Sequence, residues 1–184
     1  MKRNFIAIAA LIAGVIAGAL LTVQIMDRPA TATTIAATYD MPHVKRPNIL
    51  VTDLDRSLKI YRDILGFSFD SISESSLDSF SYPVFNIPRE ARMRYTYLNE
   101  PSEKRVFGIT EVKGVKLPKP ASAPYMSTAV IGITELESKF AKLKAMGLTV
   151  TESKTTGGTE FRFIEQAFVD FDGHLIVCYE ILPD

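Results

Sequence analysis

The chain has 184 residues, with 21 basic and 21 acidic side chains and a formal net charge of zero. That length suits one domain or two small modules sharing a core. The balanced charge, with no basic tract, leaves no field for nucleic acid. The single cysteine, Cys178, excludes an intramolecular disulfide and a cysteine-built zinc site.

In chain order, Lys2 and Arg3 precede Phe5 to Val23, a run without charge that extends through Gln24, Ile25 and Met26. As a helix, Phe5 to Met26 would span roughly 33 Å, close to a hydrocarbon core of about 30 Å. The run predicts an N-terminal signal-anchor over residues 1–26. A cleaved signal is the alternative, since Ala30-Thr31-Ala32 is a small-residue processing site. Either way the following domain is exported: membrane-anchored on the extracytoplasmic side, or secreted or periplasmic after cleavage. Residues 27–43, including His43, mix Pro, Ala and Thr without a sustained period and read as a linker.

The folded part begins near Val44. Asn48 to Val51 reads as a short apolar strand. Thr52 and Asp53 both offer caps to a helix striped by Leu54, Leu58, Tyr61 and Leu65 and stopped at Gly66. Strands are expected at about Val84–Ile87, Met93–Leu98 and Arg105–Val112. Ser71 to Phe85 reads as a Ser-rich surface loop. Lys113 to Tyr125 holds three of the ten prolines and reads as an extended joint.

The unit then repeats. Ala129 to Ile133 is a strand, Thr134 with Glu137 fits a capping box, Leu136, Phe140 and Leu143 form a stripe, and Gly147 stops it. Glu135 lies 82 residues after Asp53. Strands follow at about Thr159–Ile164, Ala167–Phe171 and Leu175–Ile181, with Asp172-Gly173 as a turn and Gly157-Gly158 in a hairpin or lid-like loop. Cys178, inside "LIVCYEI", reads as a buried packing residue. The pattern is an internal duplication: module one 44–112, joint 113–125, module two 126–184.

Two β-α-β-β-β modules, with "VTDLDRSLKIYRDILGF" in the first and "FVDFDGHLIVCYEI" at the end, resemble the vicinal oxygen chelate superfamily. That superfamily includes glyoxalase I, bleomycin-resistance proteins and extradiol dioxygenases. The resemblance implies an α+β fold whose tandem βαβββ modules form one cupped, mixed and largely antiparallel sheet around a cavity. It also implies positions for metal ligands from facing strands. Carried over one at a time, these fall on Arg46, near Glu111, and on Thr128 and Val177. Arginine stays protonated, valine cannot ligate, and threonine is a poor ligand alone. The expectation is therefore no metal and no cofactor, with Arg46 and Glu111 paired where a metal would otherwise sit.

Met93, Tyr95 and Tyr97 alternate onto one face of "RMRYTYL", where Tyr95 and Tyr97 can line a cavity for a planar or amphipathic ligand. His174 follows the turn and is expected in solvent. The favoured function is metal-free binding of a small ligand in the sheet cavity, with Arg46, Tyr95, Tyr97, Glu111, Thr128 and Val177 as contacts. A divergent metal-dependent lyase, isomerase or dioxygenase is one alternative. An interaction scaffold with a filled cavity is another. The chain carries no signal for nucleic acid, and a homodimer stays open.

Overall fold

A computed structural model describes residues 42, 44–118, 122–158 and 161–183. The expectations placed on residues 1–41 and on His43 lie outside the described residues. Among the described residues, no helix is long and apolar enough to cross a membrane.

Module one runs β1 (Asn48–Val51), α1 (Leu54–Tyr61), β2 (Ser68–Phe69), β3 (Ser73–Glu74), α2 (Ser81–Val84), β4 (Arg92–Asn99) and β5 (Phe107–Lys113). Module two runs β6 (Ala129–Gly132), α3 (Leu136–Ala145), β7 (Thr149–Val150), β8 (Lys154–Gly157), β9 (Arg162–Val169) and β10 (Leu175–Leu182). Each module builds a five-stranded mixed sheet. The orders are β1-β5-β4-β2 with β3 on β4, and β6-β10-β9-β7 with β8 on β9. The two orders correspond strand for strand, and β1–β5 and β6–β10 are the parallel pairs. The sequence expectation of tandem modules holds. The hydrogen bonding divides into two sheets, one per module.

Alternation along the strands gives each sheet two faces. Ile49, Val51, Leu98, Phe107 and Ile109 pack on Leu54, Leu58 and Tyr61 of α1. Ile131, Phe168, Ile176 and Cys178 pack with Leu136, Phe140 and Leu143 of α3 in the same cluster. One core thus joins both modules. Burial pushes the Cys178 thiol up to about 12, in keeping with a packing role.

The two helices start differently. Asp53 caps α1 by accepting from the Arg56 N–H at 2.9 Å. That hydrogen bond holds its carboxyl below the ordinary range. The expected capping box of Thr134 and Glu137 does not form. Glu135 occupies the cap position at φ +56° and makes no side-chain cap. Instead the Glu180 carboxylate on β10 accepts from the Glu135 and Leu136 N–H groups, both at 2.9 Å. The strand glutamate supplies what a long Glu side chain cannot supply from the cap position itself. Helix α3 ends beside the expected glycine, Gly147 at φ +83°, whereas α1 ends at Tyr61 and turns carry the chain through residues 62–65 to Gly66 at φ +96°.

Three further expectations change. Val84–Ile87 is not a strand. Pro83 lies in the first turn of α2, where its missing N–H costs nothing, and Tyr82 and Ile87 bury against Met93 and Val112. The Ser-rich segment also holds β3, and so is more than a surface loop. The joint contributes Val115 and Leu117 to the same small cluster. In module two, β9 runs unbroken through the gap expected at Glu165–Gln166. Lys154 to Gly157 pairs with it as the near arm of a hairpin.

The modules meet at the Asp172-Gly173 turn. Asp172 accepts from the Thr52 N–H at 2.9 Å and pairs with Arg56 at 3.2 Å. Asp170 accepts from the Tyr61 hydroxyl at 3.0 Å. His174 is half-buried rather than in solvent, and its Nε2 lies 2.8 Å from the Leu50 carbonyl oxygen.

Candidate functional site

The face of module one turned away from α1 carries Leu50, Met93, Val112, Tyr95 and Tyr97. One end is closed: Tyr82, Phe85 and Ile87 pack over Leu50, Met93 and Val112. The other end shows Tyr95 and Tyr97, both half-buried, with ring centroids 5.4 Å apart. Tyr97 stands opposite Gly108 on β5, and Tyr95 opposite Thr110.

Glycine at 108 is a matter of room. A Cβ there would meet the Asn48 Oδ1 at 2.1 Å. Asn48 instead lies across the strand, and its amide donates to the Thr110 hydroxyl at 3.2 Å. Two guanidinium groups flank Tyr97. The Arg46 carbon lies 4.2 Å from the ring centroid and the Arg105 carbon 5.5 Å. Arg105 takes a left-handed backbone, φ +61°. Its N–H donates to Oδ1 of the buried Asn99 at 2.9 Å.

Arg46 and Thr128 come together: both line a cleft of about 620 Å³ between the modules. Leu65 to Phe67 and Phe107 form its module-one wall, and Ala129 to Ile133 its module-two wall. The Thr128 hydroxyl donates to the Leu175 carbonyl at 2.9 Å. Val177 does not line this cleft. It sits in register with Val130 and Ala167 on module two.

Glu111 is the main correction. It faces α1, where it is 3 % exposed. Its carboxylate takes two hydrogen bonds from Arg94, each 2.9 Å, and one from the Leu54 N–H at 2.8 Å. The expected pair with Arg46 does not form, because strand alternation puts the two on opposite faces. Burial alone would raise this carboxyl, but Arg94 and the Leu54 N–H outweigh it and hold it below its ordinary 4.5. The internal symmetry identifies the residue that does match Val177. Val177 pairs with Val130 in module two, as Gly108 pairs with Asn48 in module one. Glu111 matches Glu180 instead, and both accept from the first N–H of their helix.

The positions that the resemblance reserves for metal ligands are therefore Arg46, Gly108, Thr128 and Val177. They offer one hydroxyl and no imidazole, carboxylate or thiolate. That donor set does not fit a divalent ion. Glu180 and His174 do not restore it, since the Glu180 carboxylate is engaged at helix α3 and the His174 Nε2 at β1.

No local signal in the sequence marks Arg105, Asn48 or Asn99 as site residues. Arg105 lies in a charged turn, "SEKRVF", and only the fold brings it to Tyr97.

The chain belongs to the Glyoxalase/Bleomycin resistance protein/Dioxygenase superfamily, whose family model matches residues 41–178. Among solved structures it is similar to a glyoxalase family protein from Bacillus cereus, with a TM-score of 0.62 and 11% identity, covering 80% of this chain and 99% of that one. It is also similar to the trypanothione-dependent glyoxalase I of Leishmania major, with a TM-score of 0.52 and 19% identity over 76% of this chain and 87% of the other. A glyoxylase/bleomycin resistance protein/dioxygenase domain from Frankia gives a TM-score of 0.52 at 16% identity, covering 77% of this chain and 99% of that domain. At these identities the likeness concerns the fold. No curated protein matches.

Proposed function

We propose that this domain binds a small organic molecule beside Tyr95, Tyr97 and Arg46, without a metal ion. One observation carries the reading: the family's ligand positions hold Arg46, Gly108, Thr128 and Val177, while Arg46 both lines the 620 Å³ cleft and stacks on Tyr97, which stands outside that cleft on the sheet face with Tyr95. Tyrosine offers an apolar body with a polar tip, which suits a planar or amphipathic ligand. The partial filling of module one's face by Tyr82 and Ile87 does not reach these tyrosines, which favours a binder over a filled scaffold. The apolar run after Lys2 and Arg3 supports a place outside the cytoplasm, at or across a membrane.

A ligand-observed NMR screen of a neutral and charged fragment library against the full chain, in EDTA, tests this. Fragments are expected to bind, and Tyr97→Ser is expected to weaken them by about tenfold, the loss of one well-packed aromatic contact. Binding that ignores both Tyr97→Ser and Tyr95→Ser, or that EDTA abolishes, would sink the reading.

A further inference from the structure

Tyr97 is flanked by two cations, and among the described residues neither forms an ion pair. Arg56, Arg62 and Arg94 each pair with a carboxylate. Arg89 and Arg92 donate to backbone carbonyls. Among the described residues, the guanidinium groups of Arg46 and Arg105 form neither an ion pair nor a hydrogen bond; both stack on Tyr97. Stacking engages the face of a guanidinium. It leaves the five N–H donors on the edge free. Of the nearby acids, Glu103 pairs with Lys45, and Glu100, which lines the cleft with Arg46, accepts from the Ser102 hydroxyl and forms no ion pair with either arginine among the described residues.

The backbone that presents Arg105 is held in place, although its side chain is exposed. Arg105 is presented from a left-handed backbone that the buried Asn99 fixes through its N–H. Arg46 is half-buried at the mouth of the cleft. Beside them lie the faces of Tyr95 and Tyr97.

We propose that Arg46 and Arg105 form an anion site that receives the carboxylate of a small aromatic acid, whose ring lies against Tyr95 and Tyr97. A planar carboxylate accepts two parallel hydrogen bonds from a guanidinium edge, which a neutral amide cannot match. The acid supplies the missing counter-charge, and its ring packs on the half-buried tyrosine pair. This inference rests on the proposed cavity and names the chemistry of its ligand.

Isothermal titration of the full-length protein with benzoate, phenylacetate and 4-hydroxybenzoate, each against its amide, tests the site. At least one acid is expected to bind saturably, and about tenfold tighter than its amide, the scale of a hydrogen bond to a charged group. Arg46→Gln and Arg105→Gln should each weaken that acid by about tenfold and leave the amide unchanged. Arg46→Lys, which keeps the charge but loses the fork, should fall between. Thermal midpoints report whether each variant is folded. The proposal is overturned if acid and amide bind alike, if the arginine variants bind the acid as the wild type does, if inorganic phosphate binds more tightly than every acid, or if no acid binds. Amides that bind and depend on Tyr97 would leave the cavity reading standing while removing the anion site. No binding by acids or neutral fragments would remove both.

Discussion

Glu111→Ala is expected to lower the thermal midpoint of the domain by roughly 5 to 10 °C, while Glu180→Ala lowers it by about 3 °C. The two glutamates occupy equivalent positions, and each accepts from the first N–H of its helix. They differ in what else depends on them. Glu111 is 3 % exposed and is the bidentate partner of Arg94, which also reaches Asp55 at 2.9 Å. Removing it leaves Arg94 with only the exposed Asp55 and orphans the Leu54 N–H. Breaking a buried pair costs about 3–5 kcal/mol, but the Arg94 side chain is 34% exposed and partly solvated, so about 2–3 kcal/mol is expected. Glu180 is half-buried and pairs with no cation among the described residues, so its loss is that of a cap, about 1 kcal/mol.

The pH dependence separates them further. The Glu111 carboxyl is held below 4.5, so its contribution is present above the unfolded value and is lost as pH falls through the lower folded one. The gap between wild type and Glu111→Ala should therefore close on acidification below about pH 4. Circular dichroism melts across pH measure both effects. Equal losses in the two variants would contradict the assignment.

Asp170→Ala is expected to cost about 3 kcal/mol, or roughly 10 °C, by opening the junction between modules. Asp170 is 6 % exposed and accepts from the Tyr61 hydroxyl at 3.0 Å, the Asp172 N–H at 3.0 Å and the His174 N–H at 2.8 Å. Tyr61 is fully buried, and its ring lies 5.2 Å from that of Phe107, so its hydroxyl has no route to water once Asp170 is gone. A left-over buried donor costs about 1–3 kcal/mol. Tyr61→Phe alone should cost about 1 kcal/mol, and clearly less in the Asp170→Ala background, because the orphaned hydroxyl is then removed.

Burial, and then the Asp170 charge, push the Tyr61 hydroxyl well above 10. Stability from keeping that proton is fully present below the unfolded value near 10 and is lost as pH rises through the higher folded one. Tyr61→Phe should lack this alkaline loss. Additive losses in the double variant would mean the two side chains do not act together.

The duplication was legible because each module keeps a helix stripe, a strand before it and a glycine after it. Those signals are local. The errors came where a distant residue does a local job. The capping box at Thr134 was a fair motif, yet Glu180, 44 residues beyond Leu136, took the helix start. Val84–Ile87 looked like a strand because its apolar residues are real, but they cover a neighbouring sheet instead of joining it. Glu111 was misplaced by three residues along β5, and an odd step turns a side chain to the other face. Only the register, with Gly108 beside Asn48 as Val177 is beside Val130, settles that position. Arg46 was legible by counting back from Val51. Arg105 was not, since its approach to Tyr97 depends on a left-handed turn held by Asn99.

Metal content distinguishes a metal-free cavity, as proposed, from a metal-dependent one. Full-length protein purified without chelator, exposed to Fe, Mn, Ni and Zn and then desalted, is predicted to carry far less than stoichiometric metal and to melt at the same temperature with and without EDTA. A stoichiometric ion that EDTA removes, with a fall in the melting temperature and loss of fragment binding, would contradict it.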